Sequence, residues 1–140
     1  MVLNILIVDD SEVMRKVIRR IMSLSGFELG IVMEAEHGEE ALSVLSDNWI
    51  DVVISDINMP VMNGIELLKK MKETESMSST PVIVVSTEGR SERIEEIMNL
   101  GAAGFITKPF NPEDIRSVIC EALGVEADGD YSEESEDSDF

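Results

Sequence analysis

Five short apolar runs rich in Val and Ile alternate along the chain with stretches whose apolar residues recur every three or four positions. Residues 3–8 (LNILIV), 29–35 (LGIVMEA), 50–55 (IDVVIS), 80–86 (TPVIVVS) and 104–107 (GFIT) predict strands. Their hydrophobicity is continuous rather than alternating, which predicts burial on both faces, as in a parallel sheet. Between them, Met14, Val17, Ile18, Ile21 and Met22 follow helical spacing, as do Ile94, Ile97, Met98 and Ala102. Asn111, Pro112, Glu113 and Asp114 predict a cap, a first-position proline and an acidic first turn, and Gly124 predicts the stop of that helix. Five strand-helix units in series, joined by right-handed crossovers, predict an α/β fold: one doubly wound (βα)5 domain around a central five-stranded parallel sheet.

In open parallel sheets the ligand site lies beyond the carboxyl ends of the strands. After the first strand come Asp9 and Asp10, and after the third comes Asp56, followed by INMP. The fourth ends at Ser86 and Thr87, and the fifth leads to Lys108 and Pro109. The second offers Glu34 and Glu36, at an edge in the common strand order. Converging carboxylates repel one another and are costly to bury unless protons or a cation compensate. Hard oxygen donors without His or Cys favour Mg²⁺ or Mn²⁺, and Lys108 with the Ser86 hydroxyl would add a positive charge and a donor for a phosphoryl group. Alone, the acidic pair reads equally as a strand-end turn with a helix cap at Asp10 or Ser11.

A length of 140 residues suits one domain. The formal charge of −18 argues against nucleic acid, which is bound by clustered Lys and Arg. From Glu126 onward the chain has eight acidic residues and no basic one, which predicts a disordered tail over 125–140 after a domain spanning 1–124. The single cysteine, Cys120, lies at core spacing with Ile119 and Leu123, and no disulfide framework is expected. No apolar run suffices to span a bilayer and no signal-like leader is visible, so a cytoplasmic protein without membrane insertion is expected.

Five segments in order, ILIVDDSEVMRK, AEHGEEAL, DVVISDINMPVMNGIELL, PVIVVSTEG and GAAGFITKPF, resemble the response-regulator receiver domain of two-component signalling, most closely its stand-alone CheY-like chemotaxis type. The resemblance covers residues 3–123 and implies the flavodoxin-like strand order 2-1-3-4-5. It also implies Asp56 as phosphoacceptor, Asp10 as a direct Mg²⁺ ligand, Asp9 acting through water, and the backbone carbonyl of Asn58 completing the protein's share. Ser86 and Lys108 match the hydroxyl and lysine that contact the phosphoryl group, and Pro109 would follow a cis peptide. Asn58 and Glu88 match the pair that governs water access during dephosphorylation, and Phe105 stands at the switching aromatic. A histidine kinase or acetyl phosphate would supply the phosphoryl group. With one domain expected, output would run through a partner, a flagellar switch protein or another effector, with a phosphatase as a further partner. A phosphorelay intermediate or a phosphate sink is the alternative role.

Two other classes fit less well. An Asp-nucleophile phosphatase needs a second acid two residues on, where Asn58 stands. A flavin binder needs a hydroxyl-rich phosphate loop after the first strand, and two aspartates there would repel the cofactor. A scaffold that is never phosphorylated conflicts with the complete site. His37 with Gly38 suits a turn into the second helix, Trp49 is expected to pack, and the methionines to fill the core. Arg15, Lys16, Arg19 and Arg20 are expected on a solvated face of the first helix, or to form a docking patch. Gly64 is expected to permit a turn ahead of the third helix.

Overall fold

The computed structural model describes residues 2–125, so the expected acidic tail lies, from residue 126 onward, outside the described residues. The elements run β1 (Val2–Val8), α1 (Glu12–Ser23), β2 (Glu28–Ala35), α2 (Gly38–Asp47), β3 (Val52–Asp56), α3 (Gly64–Glu73), β4 (Val82–Ser86), α4 (Ser91–Asn99), β5 (Gly104–Thr107) and α5 (Pro112–Leu123). All pairings are parallel and the order is β2-β1-β3-β4-β5, as expected.

The continuous apolar runs follow from two separate cores. Leu6 and Val8 of β1 join Val53, Val84, Leu67, Leu68 and Ile97 under α2, α3 and α4. Ile5 and Ile7 point the other way, joining Ile54, Ile83, Ile18, Met22, Ile115 and Ile119 under α1 and α5. Successive side chains on a strand alternate between faces, so a strand covered on both sides must be apolar at every position.

That reasoning fails for β2. Only its Ala35 is buried, because the strand order leaves β2 at the sheet edge. Its register against β1 shifts between Leu3 and Ile5, where Asn4 Oδ1 accepts the Ile31 N–H at 2.8 Å. β3 and β4 also begin later than expected, at Val52 and Val82. Asp51 meets Asn4 partly through its side chain, its N–H donating to Asn4 O and its Oδ2 accepting the Asn4 N–H, both at 2.8 Å, and Pro81 has no N–H to give a ladder. Trp49 does not pack: it is 79% exposed, its indole N–H donating to Asp51 Oδ1 at 3.2 Å.

Helix starts are set by local polar side chains. Ser11 caps α1 by accepting the Met14 N–H, and His37 Nδ1 accepts the Glu40 N–H at the start of α2. Asn63 with Glu66 and Asn111 with Asp114 form reciprocal capping boxes on α3 and α5. Gly124 ends α5 with φ 74°, as expected. α4 is the exception, with no side-chain cap at Arg90 and only Ile97 buried.

Arg15 leaves the expected solvated face, and Arg19, still exposed, pairs across to β2. Arg15 Nε donates to Glu34 Oε1 at 2.8 Å and Arg19 Nη2 to Glu34 Oε2 at 2.7 Å, tying α1 to β2. The two guanidinium groups, Arg19 first, hold the Glu34 carboxyl below its ordinary value of 4.5. A lowered folded pKa contributes stability above the unfolded pKa that is lost as pH falls through the folded one. Glu34→Gln is therefore expected to cost about 1 kcal/mol at neutral pH, since the pair is only partly exposed. Thermal melts of both proteins should converge as the pH is lowered below 4.5; an unchanged gap across that range would contradict the pairing.

Candidate functional site

The site forms where β1 and β3 end side by side. Register places Val8 beside Ser55, so Asp9, just past β1, and Asp56, the last residue of β3, lie at one level. Asp9 continues the ladder, its N–H donating to Ala35 O at 3.1 Å, and is 2% exposed. Its Oδ1 accepts the Ser11 N–H at 2.9 Å, so the start of α1 orients the carboxylate. Asp10 is exposed in the turn between β1 and α1. Carboxylate oxygens of Asp9, Asp10 and Asp56 lie within 4.8 Å of one another.

Lys108 enters from the far side of β4. Its N–H donates to Ser86 O at 2.8 Å, and its peptide with Pro109 is cis, as expected. The ammonium lies 3.5 Å from both Asp9 Oδ2 and Asp56 Oδ1. At that length each contact is long for a charged hydrogen bond and mainly electrostatic. Ser86 is buried, and its Oγ accepts the Glu88 N–H at 3.0 Å, leaving the hydroxyl proton free to meet an incoming acceptor. Burial raises the Asp56 carboxyl above its ordinary value; Lys108 opposes this and Asp9 adds to it. One lysine thus faces three carboxylates, all hard oxygen donors, and the set fits a small divalent cation that would offset the excess negative charge.

The loop after β3 is held by close packing. Gly64 is the first residue of α3 rather than a turn residue, and Val61 takes the positive φ, at 66°. A Cβ on Gly64 would lie 2.1 Å from Asp56 O and 2.9 Å from Ile57 Cα. Glycine is required there for space, and its N–H donates to Ile57 O at 2.8 Å. Asn58 is exposed in this loop. Glu88 carries an ion pair with Arg90 and a looser one with Arg93 Nε at 3.8 Å. Phe105, opposite Val84 in register, is half-buried against the core under α2, α3 and α4. The structure thus unites Asp9, Asp10, Asp56 and Lys108, joins Ser86 to Lys108 through the backbone, and leaves Thr87 exposed.

Sequence reasoning missed one supporting residue. Arg15 Nη1 donates to the Asp9 backbone carbonyl at 2.8 Å while its Nε holds Glu34. Its place one helical turn past the Ser11 cap was the available signal.

Residues 5–120 match the response regulator receiver domain, and the chain belongs to that family. It is 37% identical to a chemotaxis protein CheY homolog of Campylobacter jejuni, over 87% of this chain and 93% of that protein. Identity to the chemotaxis protein CheY1 of Helicobacter pylori is also 37%, over 87% of this chain and 98% of the relative. Among solved structures, Vibrio cholerae CheY4 superposes with a TM-score of 0.76 at 34% identity, covering 88% of this chain and all of the other. The CheY of a CheX-CheY-BeF₃-Mg²⁺ complex from Borrelia burgdorferi does so with 0.78 at 32% identity, covering 89% of this chain and 90% of that one. The chain is a CheY-like receiver of two-component signalling. Among the described residues, no helix is long and apolar enough to cross a membrane.

The excess negative charge predicts a stabilising cation. Saturating Mg²⁺ should raise the melting temperature reversibly with EDTA, in proportion to the logarithm of concentration, and Asp10→Asn should shrink the shift. A melt indifferent to Mg²⁺ would remove the metal assignment. Gly64→Ala should destabilise the fold by about 1–3 kcal/mol through overpacking against the Asp56 backbone. A denaturant midpoint equal to wild type would show that the loop relaxes freely.

Proposed function

We propose that residues 1–124 form a phosphoacceptor domain, that residues 125–140 form an acidic appendage, and that Asp56 is the phosphorylated residue. The observation that carries this reading is the Lys108 ammonium placed 3.5 Å from both Asp9 and Asp56 at the ends of adjacent strands. The Asp56 carboxylate attacks phosphorus in line, forming an acyl phosphate as the bond to the donor breaks. From a phosphohistidine the imidazole leaves and takes up a proton; from acetyl phosphate, acetate leaves. Asp9, Asp10, Asp56 and the Asn58 carbonyl would hold Mg²⁺, or Mn²⁺, which when bound offsets charge on the phosphoryl oxygens. Lys108 contributes a second positive charge and Ser86 a hydrogen bond, so catalysis is positioning plus electrostatics.

The aspartyl phosphate is reset by hydrolysis, with Asn58 and Glu88 governing the approach of water. Donation of the Ser86 hydroxyl to the new phosphoryl group draws the loop before α4 inward, and Phe105 repacks beneath it. The switched surface binds an output partner in the cytoplasm, a flagellar switch protein being the first candidate. The Campylobacter jejuni and Helicobacter pylori relatives, both chemotaxis proteins, support that choice over a phosphorelay intermediate or phosphate sink. The Borrelia burgdorferi complex supports Mg²⁺ at the site and a CheX-like protein as a further partner.

Incubation with labelled acetyl phosphate should label the wild type only when Mg²⁺ is present, and Asp56→Asn should lose labelling while keeping its fold. Label persisting in Asp56→Asn would move the acceptor elsewhere. Fast decay after donor removal is expected of a chemotaxis-type receiver.

A further inference from the structure

Of the eleven lysines and arginines, most are matched in place. Arg15 and Arg19 hold Glu34, Arg90 and Arg93 hold Glu88, and Lys108 serves Asp9 and Asp56. Lys16 makes only an exposed contact to Glu12 at 3.8 Å, and Arg116 stacks over Phe27. Arg20 forms no ion pair among the described residues, and nor do Lys69, Lys70 and Lys72, which lie on α3 across the sheet.

Arg20 belongs to an exposed stripe. Val13 (72% exposed), Lys16, Val17 (43%), Arg20 and Leu24 (56%) recur every three or four residues along one side of α1 and just past its end. Three aliphatic side chains with two cations between them form a surface suited to an acidic segment that also carries apolar groups.

Such a segment follows α5, the helix that shares this face of the sheet with α1. α5 packs on the same face of the sheet as α1, with Arg116 Nη1 donating to Ser25 O at 3.4 Å in the turn that follows Leu24. Val125, the last described residue, packs against the core cluster that also holds Met22 of α1 and Phe27. Beyond it, residues 126–140 carry eight acids and no base, together with Tyr131 and Phe140. An extended chain spans about 3.3 Å per residue against about 1.5 Å for a helix, so the segment is long enough to run the length of α1.

We propose that residues 126–140 dock in cis along the α1 stripe, with their carboxylates on Arg20 and Lys16 and their aromatic rings against Val13, Val17 and Leu24. Surface ion pairs are individually weak, and tethering makes them count, because a short linker presents the segment at an effective concentration on the order of millimolar. In place, the segment covers Val17, which with Met14, Ile21, Pro109 and Phe110 lines an apolar groove beside Lys108.

The test uses the full ¹⁵N-labelled chain, compared by NMR with a version whose eight tail carboxylates are changed to amides, Asp→Asn and Glu→Gln. At low salt the amide signals of Val13, Lys16, Val17, Arg20 and Leu24 should differ between the two, while signals of the strands coincide and report an intact fold. The difference should vanish at about 1 M salt, where screening acts within about 3 Å, and when Lys16→Glu and Arg20→Glu are introduced together. Identical α1 signals at low salt would overturn the proposal. So would differences confined to Lys69, Lys70 and Lys72, and differences that grow with protein concentration, which would mean that a second copy is the occupant.

Discussion

Two aspartates at the ends of adjacent central strands set the terms for the rest of the domain. Parallel pairing of β1 with β3 brings Asp9 and Asp56 to one level, Asp9 almost fully buried and Asp56 partly so. Like charges in such surroundings push the strand ends apart. The backbone around them is accordingly braced: Arg15 grips the Asp9 carbonyl, the Ser11 N–H turns its carboxylate, and the Lys108 N–H is bound to Ser86. Gly64 lets α3 press against the Asp56 peptide with no side chain between. The packed cores on both faces of the sheet supply the rigidity, and the acid cluster draws on it.

This division of labour explains why charge rather than shape distinguishes the site. A cavity built for a small organic ligand would present apolar walls with a few polar groups. Here the useful feature is an unbalanced set of charges, three carboxylates close together against one ammonium. Preorganised charge of this kind costs no rearrangement at the moment of reaction. The same imbalance that weakens the free protein is what gives a cation and a phosphoryl group a reason to bind.

Much of this was legible in the chain because the strongest signals are one-dimensional. Buried parallel strands need apolar residues at every position, and candidate site residues stand at or just past the ends of such strands, so Asp9, Asp10, Asp56, Ser86 and Lys108 stand out in order as candidates. What escaped depended on neighbours distant in sequence. β2 has an apolar composition close to that of the central strands, and only its place at the edge exposes it. Trp49 stands just ahead of β3, where packing is expected, yet Asp51 takes its indole N–H in solvent. Arg15 and Arg19 fit a solvated face by their spacing alone, and Glu34, on β2, holds them both. At Gly64 the flexibility of glycine suggests a turn, whereas the requirement is the space taken by the Asp56 carbonyl.

The helices are not equally secured. α3 and α5 each bury four residues and close their first turn with a capping box, whereas α4 buries Ile97 alone and begins at an uncapped Arg90. Cooperative units with few buried contacts open at a small fraction of the global unfolding free energy. The domain therefore has a built-in order of melting: α4 can fray and reform while the sheet and the other helices stay intact. Backbone amides there would exchange with solvent through local opening, independently of the rare events that unfold the whole chain.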